Sequence, residues 1–194
     1  CVLAYIIAPL NSKAAENSFL REGTLSISPF LNEIEIITGK TANGQITITN
    51  QGEQSKNISY SIQDFIPSGG EGQVRFLETE STTPNPYSLA NWIEITKQPA
   101  LKLPPKSSTT IEFQISPPEN ATHGSHFAGI LFAEEAGGVN GQVKVAKKLG
   151  SLIILRYGKG VISGNISQNQ KSLISDIPFS IETTFHNTGN THLS

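Results

Sequence analysis

Ile46-Thr47-Ile48-Thr49-Asn50-Gln51-Gly52 decides the fold, because an alternating apolar strand runs straight into Asn-x-Gly. The phrase returns as Thr183-Thr184-Phe185-His186-Asn187-Thr188-Gly189, with Asn and Gly both displaced by the same 137 positions (187 − 50 and 189 − 52). In each copy the side chain two before the Asn is large and apolar, and Asn and Gly are the residues that tolerate the positive φ of a tight turn. The chain therefore reads as one β-unit begun twice.

Outward from the first copy, apolar residues recur at every second position across residues 22–157, in runs of four to ten broken by Gly, Pro, Asn or Ser. Ile34 and Ile36 oppose Glu33 and Glu35; Ile58, Tyr60 and Ile62 oppose Ser59, Ser61 and Gln63; Ile111, Phe113 and Ile115 alternate with Glu112 and Gln114. Each pattern predicts a half-buried antiparallel strand with one wet face. Residues 127–132 and 152–155 are apolar on both faces, as in central or covered strands. Loops are expected at 67–72, 82–86, 117–120 and 137–141. No 3.6-residue periodicity lasts beyond about two turns. The fold class is all-β, with seven or eight short strands spaced as in an immunoglobulin-like antiparallel β-sandwich.

Residues 15–157 are expected to form that sandwich. After Tyr157-Gly158-Lys159-Gly160 the alternation restarts, so 158–194 reads as the first strands of a second immunoglobulin-like unit, continued beyond Ser194. Residues 1–14 read as the remnant of a secretory signal: an apolar run of about nine residues, then Ser12 and Ala14 as a small-x-small pair. A buried strand or an interfacial segment is the alternative for this run, which is too short to span a bilayer. Cys1 precedes the apolar run, so no lipid anchor is predicted. With cleavage after Ala14 the remaining chain has no cysteine, and neither disulfides nor thiolate sites are expected. Export without cysteine points to a bacterial envelope.

A formal charge of −2 with 15% charged residues gives no basic field for nucleic acid. Lys144, Lys147 and Lys148 read as a solvated strand flank. His123 and His126 at i, i+3 point to opposite faces of an extended strand and do not converge on a metal. Gly124-Ser125-His126 lacks the nucleophile-elbow spacing, and the only aspartates are Asp64 and Asp176. Glu33 with Glu35, and Glu134 with Glu135, read as surface pairs instead of a glycosidase pair. Gly69-Gly70-Glu71-Gly72 has no Lys and no following helix, so it is a turn and not a phosphate loop. No catalytic set and no cofactor is expected. Phe65, Tyr87 and Trp92 are the candidate ligand-binding residues, as a sugar-stacking platform, with core or end-plug packing as the alternative.

The order Leu25-Ser26-Ile27-Ser28-Pro29, Ile46 to Gly52, Gln63-Asp64-Phe65, Ser88-Leu89-Ala90-Asn91-Trp92-Ile93, Leu103-Pro104-Pro105-Lys106-Ser107 and 118–129 resembles the amino-terminal domain of the WxL-interacting proteins of bacterial surfaces. Residues 187–193 resemble the start of their second immunoglobulin-like domain. The resemblance implies peptidoglycan binding by the first domain, contact with surface or host proteins by the second, and a membrane anchor beyond residue 194. It brings no catalytic residue. The expected function is thus a non-catalytic envelope protein that binds cell-wall polymer or another surface protein. The alternative is a periplasmic chaperone donating a β-strand from residues 143–155.

Overall fold

The fold is known from a computed structural model that describes residues 20–22, 24–68, 73–77, 85–96, 100–134, 148–171 and 180–192. The expected signal segment, the turns at 69–72 and 137–141, and residues 144–147 lie outside them.

Two sheets face each other. The first has the order β1 (Leu20–Glu22), β2 (Leu25–Ser28), β4 (Ala42–Asn50), β9 (Ser107–Ile115) and β7 (Ile93–Ile95). The second runs β3 (Leu31–Ile36), β11 (Lys148–Tyr157), β10 (Gly124–Glu134), β5 (Lys56–Pro67) and β6 (Val74–Phe76), with β8 (Ala100–Leu103) also on β5. A 3-10 turn, Ala90–Trp92, precedes β7. The short strands β1, β6, β7 and β8 have only three or four residues each, too few to show an alternation in sequence.

Period-2 patterning places the core. Ile46 and Ile48 of β4 and Ile111, Phe113 and Ile115 of β9 turn inward onto Ile58 of β5, Ile130 and Phe132 of β10, and Ile153 and Leu155 of β11. The chain changes sheets at Pro29, which has no N–H to give to a ladder. β2 pairs antiparallel with β4, whereas β3 pairs parallel with β11 from Leu31↔Leu152 to Tyr157↔Ile36. This crossing locks the two sheets at one edge, where Ser151 Oγ donates to Pro29 O (2.8 Å) and Leu152 N to Phe30 O (2.7 Å).

β10 lies between β11 and β5 and is buried from Gly124 to Phe132, as its two-faced apolar pattern predicts. Its outer face needs a cover, and Phe76 supplies one. A Cβ on Gly129 would come within 2.6 Å of the Phe76 ring, so glycine makes the space in which that ring lies.

Beyond Tyr157 the chain forms β12 (Gly164–Lys171) and β13 (Ser180–Asn187), a separate antiparallel pair in which Ile166 faces Phe185. The Asn-x-Gly repeat is reproduced atom for atom. Gly52 N donates to Asn50 Oδ1 (2.9 Å) and Asn50 Nδ2 to Gln54 O (2.8 Å); Gly189 N donates to Asn187 Oδ1 (3.0 Å) and Asn187 Nδ2 to Thr191 O (2.8 Å). Ile48, two before the first Asn, pairs with Ile27; Phe185, two before the second, pairs with Ile166.

Candidate functional site

The three aromatic candidates divide between the two faces of β10. Successive strand residues point to opposite sides, and here His126 turns into the sandwich while Phe127 turns out. Trp92 packs on His126 with ring centroids 4.2 Å apart and edge-on to Tyr157 at 6.0 Å. Phe65 and Tyr87 instead flank Phe127, at 5.5 and 6.4 Å. Phe65 is 2% exposed beneath this outer cluster, Trp92 is half-buried, and Tyr87 is 42% exposed. The sheet thus separates Trp92 from the other two rings, and Tyr87 is the one of the three with a largely open ring.

Asp64 organises the segment that carries Tyr87 and Trp92. Its Oδ1 accepts from Leu89 N (2.8 Å) and Ala90 N (2.7 Å), and its Oδ2 from Ser88 Oγ (2.6 Å). His126 braces the same segment from below: Nδ1 lies 3.0 Å from Ser88 O and Nε2 2.9 Å from Thr122 O. A neutral imidazole donates to one of these carbonyls, and only the doubly protonated ring donates to both. Both ring nitrogens face backbone acceptors, and His123 Nε2 lies 3.2 Å from Thr38 Oγ1. Among the described residues no three His, Cys, Asp or Glu side chains gather at one point. Ser125 Oγ accepts from His192 N (2.7 Å), and Glu134 pairs with Lys56 at 2.6 Å.

Another part of the surface, on the opposite sheet, is concave. A concave shelf of about 730 Å³ lies on β4, β9 and β7, lined by Asn43, Gln45, Glu94, Thr96, Glu112 and Gln114, with the backbone near Gly44 and Phe113 beneath. The ladder aligns Asn43, Gln114 and Glu94 in one row across three strands and sets Gln45 opposite Glu112 in the next. At standard strand spacing this platform is about 10 Å across and about 7 Å along. Each of the six side chains is exposed. The sequence pattern marks Glu112 and Gln114 as outward-facing, but nothing local in it shows that β4 and β7 flank them.

The peptidoglycan-binding-domain family of the WxL-interacting proteins matches residues 33–134, just over half of the chain. The chain belongs to the WxL-interacting protein family. The match begins in β3 and ends with β10, so the WxL-interacting segment contains the shelf strands as well as Phe65, Tyr87 and Trp92. Among solved structures the fold is similar to one from a study of the chaperone–tip adhesin complex of CFA/I fimbriae, at 15% identity over 87% of this chain and 68% of that one, with a TM-score of 0.54. It is also similar to the class 5 fimbriae chaperone CfaA, at 15% identity over 86% and 67%, with a TM-score of 0.52. At that identity the likeness is one of fold. No curated protein matches the chain.

Proposed function

We propose that this chain is a non-catalytic module of the bacterial cell envelope that binds peptidoglycan through its immunoglobulin-like sandwich. The observation that carries the reading is the family match over residues 33–134, which spans most strands of both facing sheets. The folding of the aromatic segment agrees with it. Asp64, His126 and Ser125, the groups nearest to a catalytic set, each hold backbone or hydroxyl partners in place.

Strand donation is the second reading, favoured by the shared fold with fimbrial chaperones. Over Leu152–Leu155 the proposed donor strand already has β10 on one side and β3 on the other, so donation there requires β3 to be displaced. Residues 148–151 of that run pair with β10, before the β3 pairing begins at Leu152, and residues 143–147 lie outside the described residues.

Co-sedimentation of the chain with purified insoluble peptidoglycan, beside an unrelated immunoglobulin-like domain, tests the function. Saturable pelleting above the control is expected, with no release of labelled fragments on long incubation. A stoichiometric protein subunit that co-purifies, together with no pelleting, would transfer the assignment to the chaperone reading.

A further inference from the structure

The wet face of β4 and β9 changes character along its length. Toward the Asn50 end the hydroxyls satisfy one another across the ladder, Thr49 with Ser108 at 2.8 Å and Thr47 with Thr110 at 3.2 Å. In the next two rows, Gln45 with Glu112 and Asn43 with Gln114 and Glu94, no hydrogen bond among the described residues joins these amides and carboxylates to each other. These rows line the 730 Å³ concavity. Unused donors and acceptors are thus concentrated where the surface is hollow, on three strands whose ladder fixes their spacing.

The chemistry of the lining narrows its occupant. Among the described residues it contains no Lys or Arg and has two carboxylates, which disfavours phosphate-bearing polymers and other polyanions. It presents no exposed aromatic or aliphatic side chain, so it lacks the buried anchors on which protein interfaces depend. Three primary amides both donate and accept, and the two carboxylates accept strongly. That mixture complements uncharged rings bearing hydroxyl and acetamido groups: the hydroxyl and amide hydrogens go to Glu94 and Glu112, and the acetyl oxygens take amide hydrogens from Asn43, Gln45 or Gln114. We infer that the shelf on β4, β9 and β7 is the subsite for the glycan strand of peptidoglycan, which takes N-acetylated hexosamine rings by polar contact without aromatic stacking. This inference rests on the wall-binding reading. A short polar shelf binds one segment weakly, and a polymer that offers many equivalent segments raises the apparent affinity.

The test is co-sedimentation of the full chain with purified peptidoglycan from which anionic polymers have been stripped. Four proteins are compared: unsubstituted, the shelf double variant Glu112→Thr with Gln114→Thr, Ser108→Ala two rows away on the same face, and Tyr87→Ala at the aromatic end. Thr retains strand propensity at the two exposed positions, and an unchanged melting temperature verifies the fold. Saturable pelleting of the unsubstituted, Ser108→Ala and Tyr87→Ala proteins is expected, with about tenfold or greater loss of affinity in the double variant, the effect of losing one or two hydrogen bonds that include a charged acceptor. Pelleting of the double variant equal to the unsubstituted protein would overturn the shelf and leave wall binding standing, and loss confined to Tyr87→Ala would move the site to the aromatic end. No pelleting of the unsubstituted chain would overturn the wall-binding reading and the shelf with it.

Discussion

Asn50 and Asn187 make the same two local hydrogen bonds in different surroundings, and the difference is measurable. Asn50 is fully buried, and its Nδ2 also donates to Leu103 O (3.2 Å) and Pro104 O (3.0 Å), so it ties the end of β4 to the turn that starts β9. Asn187 lies at the surface. Replacing Asn50 by Ala takes this partner from the buried Gly52 N and Leu103 O, a cost of about 2–4 kcal/mol. Asn187→Ala removes solvent-accessible bonds and is expected to cost less than about 1 kcal/mol. Urea or thermal unfolding of the two variants distinguishes them, and equal losses would contradict this account. The Asn-x-Gly turn is legible in sequence because its bonds join residues two and four apart. The contact that buries Asn50 spans 53 positions and has no local signature. Asp64 follows the same logic. Its three accepted bonds hold Ser88, Leu89 and Ala90, so Asp64→Ala should lower stability by about 2–3 kcal/mol, with new exchange broadening at residues 85–92 in amide NMR spectra.

Among the elements, β10 shows how glycine admits packing on a face that antiparallel sheets often leave to water. Its outer side carries Phe127, Gly129 and Leu131, and Phe76 packs there edge-on to Phe65, ring centroids 5.9 Å apart. Gly129→Ala forces the Phe76 ring aside and should destabilise the sandwich by about 1–3 kcal/mol; a melting temperature equal to that of the unsubstituted protein would show that the ring yields freely. The apolar run of β10 predicts a covered strand correctly but does not name Phe76 as its cover. The same limit explains the aromatic candidates. Phe65, Tyr87 and Trp92 can be chosen by residue type, but their separation onto two faces follows from His126 and Phe127 being consecutive on a strand that all three flank. The shelf was hidden for the reverse reason: Gln and Asn on a wet strand face look ordinary until β4, β9 and β7 are placed side by side.

In the whole molecule, the hairpin β12–β13 repeats the β2–β4 pairing without its protection. Ile27 and Ile48 are each 1% exposed, whereas Ile166 and Phe185 are 68% and 50% exposed. An isolated two-stranded pair is marginally stable in water. What ties it down is a clasp to the start of β10: Ser125 N donates to Asn190 O (2.8 Å), Asn190 Nδ2 to His123 O (2.9 Å), and His192 N to Ser125 Oγ (2.7 Å), around a buried Thr191. Asn190 also accepts from Val161 N through its side chain (2.6 Å), so this one residue joins the hairpin's two ends to the sandwich. Gly124 is shaped for that contact, since its φ of 126° suits glycine and a Cβ there would meet Asn190 O at 2.6 Å. Hydrogen exchange should therefore show amides of β12 and β13 opening at least about a hundredfold more often than those of β4 and β10. Asn190→Ala should widen that gap while leaving the sandwich core protected, because the bonds it removes lie outside the core cluster. Gly124→Ala disturbs both sides of the clasp and should also lower the melting temperature. If Asn190→Ala instead lowered protection in β4 and β10 to the level of the hairpin, sandwich and hairpin would open as one cooperative unit, and the clasp would be part of the core's own stability.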